Sequence, residues 1–124
     1  MSDDYSKYSI GTEMEFEPLI LLDFPSIIAS CQNEWQNKGI CRINDCVLRL
    51  GVVQGEFHWH KHNNEDEFFY VLSGLLFIDL ENQTIELSPQ QGFLVPKGII
   101  HRTRAPKRTA MLMFEGFTVQ ATGD

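Results

Sequence analysis

From Cys46 onward the chain alternates short runs of aliphatic, aromatic and β-branched residues with clusters of turn residues. The runs cover 46–53, 57–62, 67–72, 75–80, 84–87, 92–95 and 109–119, the last interrupted by Gly116. Short strands at close, regular spacing predict a β-sandwich or β-barrel. Ser73-Gly74, Glu81-Asn82-Gln83 and Ser88-Pro89 supply the turns between them. In the run 67–72 both alternating sets, Phe69/Val71 and Phe68/Tyr70/Leu72, are apolar. Such a strand is covered on both faces, by a second layer or by a partner subunit.

The N-terminal third reads differently. Residues 1–14 are polar and predict a flexible arm, leaving 15–124 as one barrel domain. Within that domain, residues 16–22 are apolar enough for an edge strand added to the barrel. Asp23-Phe24-Pro25-Ser26 then combines an acceptor side chain with a proline just inside a helix start. One short helix over 27–31 is expected, in an otherwise all-β chain.

Composition narrows the classes of function. A chain of 124 residues fits one domain, and 43% hydrophobic residues with nine Phe provide a packed interior. A net charge of −7 repels phosphate backbones and anionic lipid, which argues against nucleic-acid and membrane-surface partners. The one basic cluster, Lys97, Arg102, Arg104, Lys107 and Arg108, reads as solvated surface. No basic segment followed by an apolar stretch opens the chain, and no apolar run approaches the ~20 residues of a membrane helix. Cys31, Cys41 and Cys46 are odd in number and lack CxxC spacing, which suits a reducing compartment, so a cytoplasmic location is expected.

The chemistry is concentrated in four residues. His60 and His62 are two apart, and a strand repeats every two residues, so both imidazoles face one side. A polar turn, Asn63-Asn64-Glu65-Asp66, leads to Glu67, whose side chain is in phase with Phe69 and Val71. A hairpin at 63–66 would put this carboxylate beside the two histidines. His101 follows Pro96-Lys97-Gly98 and would arrive from a separate strand. Three imidazoles and one carboxylate suit one divalent first-row ion (zinc, manganese, iron, nickel or copper) and leave positions open for water or substrate.

These residues carry a family resemblance. The stretch GEFHWHKHNNEDEFFYVLSG, residues 55–74, resembles the first cupin motif: a glycine, an HxH pair, a glutamate after four intervening residues and a closing glycine, Gly74. Pro96-Lys97-Gly98-Ile99-Ile100-His101 resembles the PxGxxH of the second motif. The resemblance implies a jelly-roll, double-stranded β-helix barrel with His60, His62, Glu67 and His101 as metal ligands. Three positions depart from the pattern: Gly55 lies one residue closer to HxH, Gln90 stands where a glycine is expected, and Ala105 where an asparagine is expected. A narrower resemblance, from about Glu34 to the last residue, is to small single-domain cupins described as mannose-6-phosphate isomerase-like. It rests on Glu34-Trp35, Asn44-Asp45, the run 55–60, Val95-Pro96-Lys97-Gly98, Glu115 and Thr122-Gly123-Asp124.

Three further residues are candidates for proton transfer: His58, in phase with His60 if the strand runs straight, and Tyr70 and Glu115 on expected strands. His58 can also be an alternative ligand. The functions compatible with this set are a metal-dependent enzyme of the isomerase, decarboxylase or dioxygenase type, a small-ligand-binding module without turnover, and a structural cupin whose metal stabilises the fold. A homodimer is expected, because a short barrel with a doubly apolar strand has surface to cover.

Overall fold

The computed structural model describes residues 7–123. Among them the chain forms β1 (Ser9–Met14), α1 (Phe24–Ala29), β2 (Trp35–Ile43), β3 (Cys46–Glu56), β4 (Glu67–Ser73), β5 (Leu76–Leu80), β6 (Thr84–Leu87), β7 (Gly92–Val95) and β8 (His101–Gly116). The strands pair in the order β1-β2-β3-β8-β4-β7, and β5 joins β8 to β6. They roll into the expected all-β barrel with one short helix.

β8 organises the barrel. Its first residues pair with β5, from Leu80↔His101 to Phe77↔Arg104. Its last residues pair with β3, from Val53↔Thr109 to Cys46↔Gly116, and with β4, from Ser73↔Ala110 to Glu67↔Glu115. Between these halves the β3 ladder slips at Gly55, whose φ is 105°, and resumes at Gly55↔Ala105. Pro106, which has no N–H to give, falls in this break.

Alternation sorts the side chains. Val53, Phe69, Val71, Leu76, Ile78, Met111 and Met113 fill the barrel interior. Leu48, Leu50, Val52 and Ala110 point the other way and are covered by Ile27 of α1, with Phe16, Leu22 and Phe24 against them. Pro25 lies in the first turn of α1 and Asp23 stands at its N-cap, as the sequence signals, and the helix ends before Cys31. The exposed side of β4 and its neighbours is a different matter: Leu94 and Phe114 are uncovered, so the second cover expected over β4 comes only in part from this chain.

Four expectations are corrected. The arm is not loose over residues 9–14, which pair in parallel with β2 as the edge strand β1; residues 1–6 lie outside the described residues. Residues 16–22 are a connector, because Pro18 lacks a donor and Leu19 takes a φ of 70°. The expected strand 57–62 reduces to one bridge, His60↔His101, since the turn at Gly55 redirects the chain. β2 is an additional strand, hidden by its polar run Gln36-Asn37-Lys38-Gly39. It joins β3 through the Asn44-Asp45 turn, with Asn44 at φ 53°.

The junction of β5 and β8 is held by a buried carboxylate. Asp79 accepts hydrogen bonds from Arg104 Nε (2.7 Å), Arg102 Nε (2.8 Å) and Thr84 Oγ1 (2.7 Å). Burial alone would raise its pKa; the hydrogen bonds from Arg104, Thr84 and Arg102 outweigh that and hold it at about 2. Because the folded value lies below the unfolded one, this stabilisation is complete above about pH 4 and is lost as the pH falls toward 2. Asp79→Asn is expected to lower stability by about 1–3 kcal/mol in urea unfolding at pH 7 and to flatten the acid limb of the stability curve.

Candidate metal centre

The two segments that carry the histidines are tied by their backbones. His60 N–H donates to His101 O and His101 N–H to His60 O, both at 2.9 Å, and Gly98 N–H donates to His62 O at 2.7 Å. Asp66 Oδ1 accepts from Lys97 N–H at 2.9 Å, which fixes the start of β4 against the Pro96-Lys97-Gly98 turn. Glu67 is therefore set by pairing with Val95 of β7 and Glu115 of β8, and not by a hairpin with the histidine segment. At Gln90, where the motif has glycine, φ is 70°: the left-handed turn is kept and secured by Gln90 N–H to Val71 O at 2.8 Å.

His60, His62, Glu67 and His101 come together as the sequence predicts, each offering one ligand atom, all within 4.8 Å of one another. His60 Nδ1 and His101 Nδ1 lie 3.0 and 2.9 Å from the carbonyls of His58 and Ile99. A carbonyl only accepts, so these Nδ1 atoms carry the protons and the Nε2 lone pairs are left for the centre. Nε2 of His62 and of His101 lie 3.4 and 3.3 Å from the same Glu67 oxygen. Nε2 of both rings and Glu67 Oε1 are buried without a hydrogen-bond partner. Buried groups of this kind are costly unless something satisfies them, and converging lone pairs call for a cation. The donor set fits a divalent ion.

Electrostatics agree with neutral imidazole and ionised carboxylate at the centre. Burial pushes His60 down to about 4. For Glu67 burial acts upward, but the close approach of His101, His62 and Glu115 outweighs it and holds the carboxyl below the usual range. Glu115, on β8 beside Glu67, is pushed up to about 10 by burial and by the Glu67 charge, which Arg49 opposes only in part. Arg49 Nε nonetheless lies 2.8 Å from Glu115 Oε1, close enough for its charge to act but not aligned for a hydrogen bond. Glu115 then holds a proton next to the metal ligand. A cation at the centre would draw both carboxyl values down.

A cavity of about 20 Å³ adjoins the cluster, bounded by His60, Glu67 and Glu115 and walled by Phe57, Phe69, Met111 and Met113. Two of its lining residues, Trp35 and Asn37, come from β2 and are missed by the sequence reading together with that strand. The alternation of Trp35, Asn37 and Gly39 against Gln36 and Lys38 was the available signal. Tyr70 is not brought to the site: it shares a face of β4 with Phe68 and Leu72, opposite Glu67 and Phe69. The basic cluster is spent elsewhere, with Arg102 and Arg104 on Asp79 and Arg108 on the Cys31 carbonyl.

His58 stands outside the four-residue cluster and has a structural task. Residues 117–123 fold back from β8 toward His60. Phe117 N–H donates to Asp45 O, Thr118 Oγ1 to Glu65 Oε1, and Ala121 lines the cavity. His58 Nε2 donates to the carbonyl of Thr122 at 2.7 Å, and Gly123 packs so closely that an added Cβ would lie 2.8 Å from His60 Cβ.

This fold is an all-β barrel, and its site is a cluster of side chains that could hold a metal ion. Residues 48–117 match the family profile described as "Cupin domain", more than half of the chain, so the chain belongs to the cupin family. It is 44% identical over 80 residues to the uncharacterized protein YdbB of Bacillus subtilis (strain 168), covering 64% of this chain and 71% of that protein. Over 58 residues it is 40% identical to the polyketide synthase CurC of Streptomyces cyaneus, a match that spans 47% of this chain and only 36% of that protein. Among solved structures it is similar to a cupin-2 domain containing protein from Shewanella frigidimarina. There the TM-score is 0.74 and the identity 30%, over 77% of this chain and 94% of that one.

His58→Ala removes the anchor of segment 117–123. Hydrogen–deuterium exchange of residues 119–123 is expected to accelerate at least about tenfold, the worth of one buried hydrogen bond, while β3 and β8 keep their protection.

Proposed function

We propose that this cupin is a metal-dependent enzyme acting on a small organic molecule at the cavity beside His60, His62, Glu67 and His101. The observation that carries the reading is the convergence of buried, unpartnered Nε2 and carboxylate oxygen atoms on one point at a cavity wall. A zinc, manganese, iron, nickel or copper ion held there would supply Lewis-acid or redox activation of a substrate oxygen. The chain's own residues do the rest. Phe57, Phe69, Met111 and Met113 exclude water, and Glu115, paired across the ladder with Glu67 at the cavity, is placed to carry a proton in a reaction of the isomerase, decarboxylase or dioxygenase type. Similarity to a polyketide synthase component supports a carbonyl-rich substrate. The mannose-6-phosphate isomerase-like resemblance supports the barrel shape and leaves the reaction open. The tightness of the cavity favours, as a second reading, a non-catalytic cupin that holds a small ligand or a stabilising metal.

The cysteines are free and, among the described residues, no helix is long and apolar enough to cross a membrane; the free thiols support a cytoplasmic location. The surface supports a homodimer. Leu19 and Leu21 project fully into solvent, and Ile43, Leu94 and Phe114, which line one surface hollow, stand exposed, apolar surface that a second copy would cover. Light scattering at micromolar concentration is expected to give twice the chain mass; a single-chain mass would refute the dimer.

Elemental analysis of untagged protein is expected to find about one transition metal ion per chain, falling to near zero in His101→Ala. Turnover over a panel of diketones, phenolics and hydroxy ketones, followed as oxygen uptake or absorbance loss, is expected to vanish in His60→Ala. Metal bound at one per chain with thermal stabilisation by a panel compound but no product formed would favour the binding module instead.

A further inference from the structure

The walls of the cavity beside the ligand cluster are of two kinds. Most of its lining residues sit on β2, β4 and β8, inside continuous ladders. Phe57 and His60 lie between strands but are tied to β8, with Phe57 N–H donating to Thr103 O and His60 N–H to His101 O, each at 2.9 Å. Ala121 is the exception. Among the described residues it is the one lining residue that belongs to no strand and makes no backbone hydrogen bond to one.

The segment that carries Ala121 crosses from the end of β8 to the histidines. Phe117 anchors its near end, through Phe117 N–H to Asp45 O at 3.0 Å and through the Arg42 guanidinium, 4.0 Å from the ring centroid. Two turns, Val119 N–H to Gly116 O at 3.0 Å and Gly123 N–H to Gln120 O at 2.9 Å, shape the segment from within. Beyond Phe117, among the described residues, two hydrogen bonds join it to the rest of the barrel, and both use a side chain: Thr118 Oγ1 to Glu65 Oε1 at 3.0 Å and His58 Nε2 to Thr122 O at 2.7 Å. Val119 is its buried side chain, and the residues turned toward the site, Ala121 and Gly123, have little to bury. A segment held by so few contacts opens well before the ladders around it.

The cavity needs such an opening. At about 20 Å³ it admits about one water molecule, and the ligand atoms beside it are buried. A hydrated ion or an organic molecule enters it when a wall moves, and parting a ladder costs far more than lifting the segment.

We propose that residues 118–123 are a strap that closes the metal cavity, latched by His58 and Thr118, and that its opening sets how fast an ion or a small molecule enters and leaves. The proposal rests on the reading of the cluster as a metal-holding site and adds how that site is reached. Its signature is kinetic. A gate closed in both the empty and the loaded protein slows entry and exit by one factor and leaves the affinity unchanged.

The test uses the full, untagged chain and zinc. Release is followed by absorbance as zinc passes to excess pyridylazoresorcinol, uptake by stopped-flow loss of the zinc–chelator signal to metal-free chain, and affinity by competition at equilibrium. His58→Phe keeps a ring and removes one latch donor; Thr118→Val keeps the shape and removes the other. Release and uptake are each expected to rise about tenfold in His58→Phe and about threefold in Thr118→Val, with Kd within about twofold of the wild type and with faster hydrogen exchange at residues 119–123. Should His58→Phe not fold, Thr118→Val decides the matter. Faster exchange in the segment with unchanged zinc rates, or unchanged exchange in the segment in both variants, overturns the proposal and leaves the metal site standing. Faster release with a matching loss of affinity is damage to the ligand set and overturns it as well. Failure of the wild-type chain to bind zinc removes the underlying reading and the proposal with it.

Discussion

The site depends on β8 keeping one phase over sixteen residues. His101, Thr103 and Ala105 face the interior in its first half, and Thr109, Met111, Met113 and Glu115 do so in its second. A shift of one residue at the Pro106 break would turn every later side chain outward, exchanging Met111 and Met113 for Leu112 and Phe114. Three partner strands oppose that shift: β5 grips the first half, and β3 and β4 grip the second. Position of the last metal-ligand candidate and position of Glu115 are thus fixed by one backbone ladder.

Into this rigid frame the sequence places more buried polar groups than packing alone would tolerate. Burying His60, His62, Glu67, His101, Asn37 and Glu115 inside a small apolar barrel works against stability unless their atoms find partners. Some do, through the backbone carbonyls behind His60 and His101, while Arg49 sets its charge 2.8 Å from Glu115. The atoms left over all belong to side chains that line the cavity or the ligand cluster, or that sit directly behind them. The outer polar cluster around Asp79 shows the contrast: both of its carboxylate oxygens are satisfied, and it serves the fold.

The barrel and the ligand set were legible in the sequence because period-two alternation and turn glycines are local signals. Gly74 closes the β4 turn at φ 92° and cannot carry a Cβ against Thr109, and the HxH pair needs only two adjacent like-facing positions. What escaped was set by distant partners. β2 is held as a strand by its ladder to β3 and by β1, and its polar stretch leaves only the alternation of Trp35, Asn37 and Gly39 as a local sign. Tyr70 is a different case, since alternation alone already sets it on the face of β4 opposite Glu67 and Phe69. His58 looked like chemistry because its ring is in sequence phase with His60; the segment that it holds arrives from 64 residues away.

Gly123 lies against the ring of His60, with no room even for a methyl group. The main chain at that point therefore runs beside the candidate ligand cluster. An affinity tag of histidines fused there would offer competing imidazoles within a few residues of the native ones, and a bulky fusion would prise segment 117–123 from the barrel. Recombinant protein for any study of metal identity is better extended at its other end.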